Sequence, residues 1–367
     1  MLLVSVVNRW RWALALFGPP DVEKLKAKRD VQGLIRALGY TADASVRRAA
    51  VEGLAEIGDA RAVDALILAL KNPDWQHDWH DTAALTEALT RLGTPSVGPL
   101  LDSLTWHSTV VRVSAAGALA AIGRPAIPPL VELLGDADLE IREAAGQILA
   151  EIGSDAIDQL IEALNGDVVS RRLRAAKVLG EIGDPRAVGP LTRALADELA
   201  GVRQAAARSL GAIADPRAAT GLVSALTDPS MDVRWVAALA LAEMRDPRAV
   251  QTLLPELLRS KAPDAIDALV KIGLPVVEPL LAMLADSKAR EDEPWMLEEL
   301  RSEAPKILVR IGCRPDVATL VAQLFAEGQE ESSSAASQLS LLSSSAELDA
   351  QTQALVLAAR PHLEQAR

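Results

Sequence analysis

VRRAAVEGLAEIG, residues 46–58, returns as VRVSAAGALAAIG (111–123), IREAAGQILAEIG (141–153) and VRQAAARSLGAIA (202–214). A segment copied at a fixed period is the mark of a repeat architecture, so the unit has to be read before the whole. The last residue of each copy serves as a marker, and the series runs Gly58, Gly93, Gly123, Gly153, Gly183, Ala214, Arg245, Gly273 and Gly312. The period is about thirty residues. Apolar residues stand 12, 8, 4 and 1 positions before the marker, as in Val46, Ala50, Leu54 and Ile57. That spacing lines one face of a helix, called helix A below.

The marker glycine suits a left-handed helix end, and a turn such as DPRAV (184–188, 246–250) or the shorter TPSV (94–97) follows it. Asp184, Asp215 and Asp246 are placed to cap that turn. A second apolar set then runs Val188, Leu191, Leu195, or Ile157, Leu160, Ile161, Leu164, again at helical spacing. This is helix B. Pro99, Pro129, Pro190 and Pro279 precede its leucines and therefore belong in its first turn, where no amide donor is needed. A helical hairpin of this kind leaves an apolar side open and is stable only when stacked on its neighbours. The nine marked units and a half-unit at 30–38 predict an all-α superhelix, an α-solenoid, extending on the order of 90 Å.

Composition agrees with this reading. Half of the 367 residues are apolar but only 3% are aromatic, and the alanine and leucine that dominate favour close helix packing over sheets. A net charge of -12 repels a phosphate backbone and disfavours nucleic acid as a partner. The single cysteine, Cys313, rules out an intrachain disulfide, which fits the cytoplasm.

Residues 1–17, MLLVSVVNRWRWALALF, carry Leu3, Val6, Val7, Trp10, Leu14 and Phe17 at helical spacing, with Arg9 and Arg11 interrupting the apolar run. The pattern fits an amphipathic helix that caps the first repeat or lies on a membrane surface better than a signal peptide or a spanning anchor, and a mis-assigned start is the remaining reading. The expected organisation is an N-terminal segment over 1–20, a repeat array over 21–325, and a degenerate helical cap over 326–367, whose ESSSAASQLSLLSSS fits the repeat loosely.

The VRRAA…LAEIGD.RAV…L..AL pattern resembles the HEAT-like repeats named after phycobilin lyases. The resemblance implies an α-solenoid whose B helices line the concave side and whose members mostly bind proteins. It also admits a phycobilin (tetrapyrrole) lyase or isomerase, for which no catalytic residue can be nominated. One unit departs from the pattern: Arg171 stands where Val or Ile is expected, and Leu173 is expected to take its place. The HEAT-repeat hydroxylases that hold iron on His-Glu pairs are a poor match, because His77, His80, His107 and His362 are followed by Asp, Asp, Ser and Leu. No phosphate loop or hydrolase motif is present, so the chain reads as non-catalytic and without a cofactor.

Two features break or decorate the copying rule. Arg47, Arg112, Arg142, Arg203, Arg234 and Arg301, with Arg61, Arg186, Arg217 and Arg248, recur beside Asp59, Asp184, Asp215 and Asp246. Ladders of ion pairs between repeats account for that recurrence. NPDWQHDWHD (72–81) lengthens one loop, and the matching loop of the next unit is TWHS (105–108). The periodicity brings Trp75, Trp79 and Trp106 with His77, His80 and His107 toward one edge, with Trp235 and Trp295 at equivalent places in later units. Exposed tryptophans there would anchor a protein partner, and the acidic run around Trp295 suits a partner with a basic surface. The competing reading of the first loop is a metal site on His77 and His80 with Asp74, Asp78 and Asp81 nearby.

If helix A is phased correctly, Leu54→Ala or Leu149→Ala lowers stability by about 2–5 kcal/mol in urea denaturation. A near-neutral result would place both leucines outside the core.

Overall fold

The computed structural model describes residues 19–40, 42–76, 79–260, 263–286, 294–325, 329–342 and 348–363; residues 1–17 lie outside these. Among the described residues there is no β-strand, and no single helix is long and apolar enough to cross a membrane. The chain is an all-α solenoid of hairpins that divides into two units, Met1–Ile182 and Gly183–Arg367.

In the first unit the A helices are Ala44–Ile57, Trp79–Leu92, Thr109–Ile122, Leu139–Ile152 and Val169–Ile182, and each packs on the next. The B helices pack chiefly on the A helix that follows, Val63–Lys71 on Trp79–Leu92 and Ile157–Leu164 on Val169–Ile182, so the close pair is a B helix with the next A helix. Ahead of them the short helices Val22–Ala27 and Val31–Ala37 form an opening pair, N-capped by Asp21 and Asp30. The repeat pattern shows only the second of this pair, because the first buries little beyond Val22 while the second buries Val31, Leu34 and Ala37. The second unit stacks Ala200–Ile213, Met231–Glu243, Pro263–Ile272 and Pro294–Ile311 in the same way. Its last helices, Gln329–Leu342 and Ala350–Leu363, pack on each other and on Pro315–Leu324. Cys313 is buried near Gln351, and that burial pushes its thiol up to about 11.

Burial follows the predicted face. Ala50, Leu54, Ala145 and Leu149 are wholly buried. Small residues let successive A helices approach closely: a Cβ on Gly211 would come within 2.8 Å of the Ala240 Cβ in the neighbouring helix. Pro129 and Pro190 occupy the first turn of helix B. Pro99 sits further in, because its helix runs continuously from Thr94 through the turn.

All nine markers have positive φ, including Ala214 and Arg245. Two turn lengths explain which residues are tolerated there. After Gly58 and Ala214 the turn has the longer Asp-x-Arg form, and ψ is 21° and 31°, the left-handed helical region that other residues reach at modest cost. After Gly93, Gly123, Gly153 and Gly273 the turn is one residue shorter, and ψ lies at -133°, -126°, -135° and -141°. A Cβ is poorly accommodated in that region, so these four positions require glycine.

The recurrent arginines have two local roles, and Arg47 and Arg203 also form the pairs between repeats that their spacing suggests. Arg61, Arg186, Arg217 and Arg248 pair with the aspartate two residues earlier, inside their own turn. These guanidiniums hold the Asp59 and Asp215 carboxyls down to about 2. The arginines of helix A instead fold back onto main-chain carbonyls five and six residues earlier. Arg112 donates to Trp106 and His107, Arg172 to Gly166 and Asp167, Arg203 to Asp197 and Glu198, and Arg234 to Asp228 and Pro229. Links between repeats run through other pairs as well, among them Lys26 with Glu56 and Arg124 with Asp155. Arg203 grips Asp228 through two bonds of 2.7 and 2.8 Å, and Arg174 meets Glu143.

Arg172 takes the place of Arg142 one period on, so the unit keeps its register and Leu173 does not shift inward to replace Arg171. Leu173 is half-buried, while Arg171 keeps its own position and reaches Glu132 at 2.5 Å.

The two turn lengths give different mutational costs. Gly58→Ala is expected to lower stability by about 1 kcal/mol. Gly123→Ala should cost more, about 3 kcal/mol. Equal losses in urea denaturation would remove the distinction between the turns.

Candidate functional site

The first unit gathers its unusual side chains where the A helices begin. Pro73 and Asp74 start a single helical turn, Pro73–Gln76, packed against the Val63–Lys71 helix. Gln76 donates to the Leu70 carbonyl and accepts from the Ser108 hydroxyl at 2.8 Å, which joins this insertion to the 105–108 loop of the next repeat. The two loops singled out by sequence are therefore in contact.

Their tryptophans are not equivalent. Trp75 is only 4% exposed, with the Arg47 guanidinium 5.2 Å above its ring, so it packs beneath its own loop and offers nothing to a partner. Trp79, the first residue of the Trp79–Leu92 helix, is 71% exposed and lies against His80 with ring centres 3.6 Å apart. Trp106 is half-buried, with the Lys71 ammonium 4.7 Å over its ring and the His107 ring tilted against it at 4.9 Å. Its indole N–H is turned inward and finds no acceptor among the described residues.

In the second unit Trp235 is half-buried and lines a shallow pocket of about 210 Å³ with Leu226, Met231, Arg234, Gln251, Thr252 and Pro255. Trp295 is the second residue of the Pro294–Ile311 helix, and its side chain lies outside the described part of the structure.

Asp81 is held by two arginines. It is 1% exposed, with Arg47 at 3.3 Å from one carboxylate oxygen and Arg48 at 3.0 Å from the other. Arg47 also reaches the Tyr40 carbonyl, so one guanidinium ties three segments together. His77 and Asp78 lie outside the described residues, and among those described no three His, Cys, Asp or Glu side chains gather as a metal would need. The pairing of Asp81 with Arg47 was within reach of the sequence. Arg47 lies four residues into helix A, the place that Arg112, Arg142 and Arg203 occupy later, and Asp81 lies near the start of the following one.

The repeated hairpins and their solenoid stacking define a class of α-helical repeat protein. Within that class the chain belongs to the HEAT repeats family, whose model matches residues 31–110, 97–176, 169–234 and 219–293. No curated protein matches it. Solved structures that it resembles include an engineered protein, at 23% identity over 91% of this chain and 99% of that one, with a TM-score of 0.38. Human deoxyhypusine hydroxylase in complex with glycerol is 24% identical over 61% of this chain and 88% of its own, with a TM-score of 0.29. Importin beta is 15% identical over 94% of this chain and 54% of its own, with a TM-score of 0.44, so the present chain spans about half of it. None of these likenesses bears on function.

The two neighbouring tryptophans should respond oppositely to truncation. Trp75→Ala is expected to cost about 3–5 kcal/mol of stability. Trp79→Ala should stay within about 0.5 kcal/mol. A stability loss at Trp79 as large as that at Trp75 would show that both are core residues.

Proposed function

We propose that the chain is a non-catalytic scaffold that docks a protein partner on the edge where its A helices begin, with Trp79 as an anchor. The observation that carries this reading is the contrast within one loop: Trp75 is fixed under Arg47, while Trp79 is held 71% exposed at a helix start. A large aromatic ring kept in solvent at a helix start supplies contact area with few rotatable bonds to order, which suits an interface hot spot. Arg47 and Lys71 lie over the other two rings, Trp75 and Trp106. The buried carboxylates Asp81 and Asp228 are engaged by arginines in structural pairs, which supports a binding role over a catalytic one. Net acidity favours a partner with basic surface.

Replacing Trp79 with photoreactive benzoylphenylalanine in the native cell, with the exposed Gln147 replaced as control, tests the assignment. One protein should be captured from position 79 and not from 147, and its affinity for Trp79→Ala should fall about tenfold, the effect of losing roughly 1.4 kcal/mol of contact. Equal capture at both positions, or binding indifferent to Trp79→Ala, would overturn it.

A further inference from the structure

Helix A begins with an exposed apolar side chain in repeat after repeat. In the first unit Trp79, Leu139 and Val169 are each the first residue of their helix, and Val110 is the second of its own. They are 71%, 55%, 45% and 40% exposed. The second unit repeats the feature with Leu199, one residue before the helix Ala200–Ile213, and with Met231, the first residue of its helix. Single exposed apolar residues are ordinary on any surface. Recurrence within one residue of the helix start in repeat after repeat is not, because folding asks nothing of this place: the first helical residue is threonine at Thr109 and alanine at Ala44 and Ala200.

Charge supplies the second half of the pattern. Leu139 lies between exposed Asp138 and Glu140, Val169 follows exposed Asp167 and Val168, Leu199 follows Glu198, and Met231 precedes Asp232. The arginines nearest to Leu139 and Val169 are engaged: Arg142 is bonded to the Asp136 and Ala137 carbonyls, Arg172 to Gly166 and Asp167, and Arg171 to the Glu132 carboxylate. Around Leu139 and Val169 the outward charge is therefore that of exposed Asp138, Glu140 and Asp167.

Spacing selects the shape of what fits. The A helices of the first unit pack successively, and packed helices lie about 8–10 Å apart. A polyproline-type strand brings every third side chain to one face at about 9.3 Å. From these three matches we infer that the edge of the first unit binds an extended basic segment of a partner protein, one apolar side chain in three seated on successive helix starts and lysine or arginine between them facing the carboxylates. The inference rests on the scaffold reading above and adds the chemistry and conformation of the partner.

The test uses the full chain and three synthetic twelve-residue peptides: Leu-Lys-Pro repeated four times, the same with Glu for Lys, and a shuffled version of the first without the three-residue period. Fluorescence anisotropy should show the first binding at least tenfold more tightly than the other two. The double variant Leu139→Ser, Val169→Ser should weaken that binding about tenfold with circular dichroism and melting unchanged, and raising the salt from 50 to 300 mM should weaken it further. Equal binding of the acidic or shuffled peptide, or no effect of the double variant, would overturn the inference. So would sedimentation showing that the chain pairs with itself through this edge and that the double variant separates it. Capture at position 79 alongside failure of the periodic peptide would sink this inference alone and leave the scaffold reading standing.

Discussion

The bond on which the hairpins depend most is the one from an arginine in the fourth position of helix A to the carbonyls that precede that helix. Each link between helix B and the next helix A is short, and its carbonyls have no partner of their own in either helix. The guanidinium bridges two of them at once and so closes the link with a group that carries several donors in a fixed plane. Apolar stacking of Ala and Leu then needs only to bring the helices together, since the path between them is already set. That division of labour explains why an Ala-rich core with few aromatics is sufficient.

The fold was legible because its period is written in the sequence several times over. Leu54 and Leu149 lie in the core as their spacing required, and the markers bend as glycine suggested. Less could be read where the partners of a side chain were concerned. Arginine beside aspartate suggested ladders, but the distance from a guanidinium to its own turn, or to a carbonyl six residues back, is a matter of local geometry that spacing does not reveal. The opening helix at Val22–Ala27 went unread because six residues with one buried position carry no periodicity.

The candidate site was legible in half. Composition singled out the 72–81 insertion and its match at 105–108, and Gln76 and Ser108 join the two. Which indole faces water was not available, since Trp75 and Trp79 have the same residue type and lie four apart. What separates them is Arg47, which belongs to the repeat before and covers one ring alone. The periodic apolar edge escaped the eye for a different reason: Leu139, Val169 and Met231 look like core residues until burial shows that they are not.

The two turn lengths bear on how such an array can change over generations. A unit with the longer Asp-x-Arg turn lets its marker wander, and Ala214 and Arg245 stand where glycine stands elsewhere. Deleting one turn residue closes that freedom, because the shortened link then admits glycine alone. Shortening is thus easy only in units whose marker has not yet drifted, and each drifted marker acts as a ratchet that preserves the length of its own repeat.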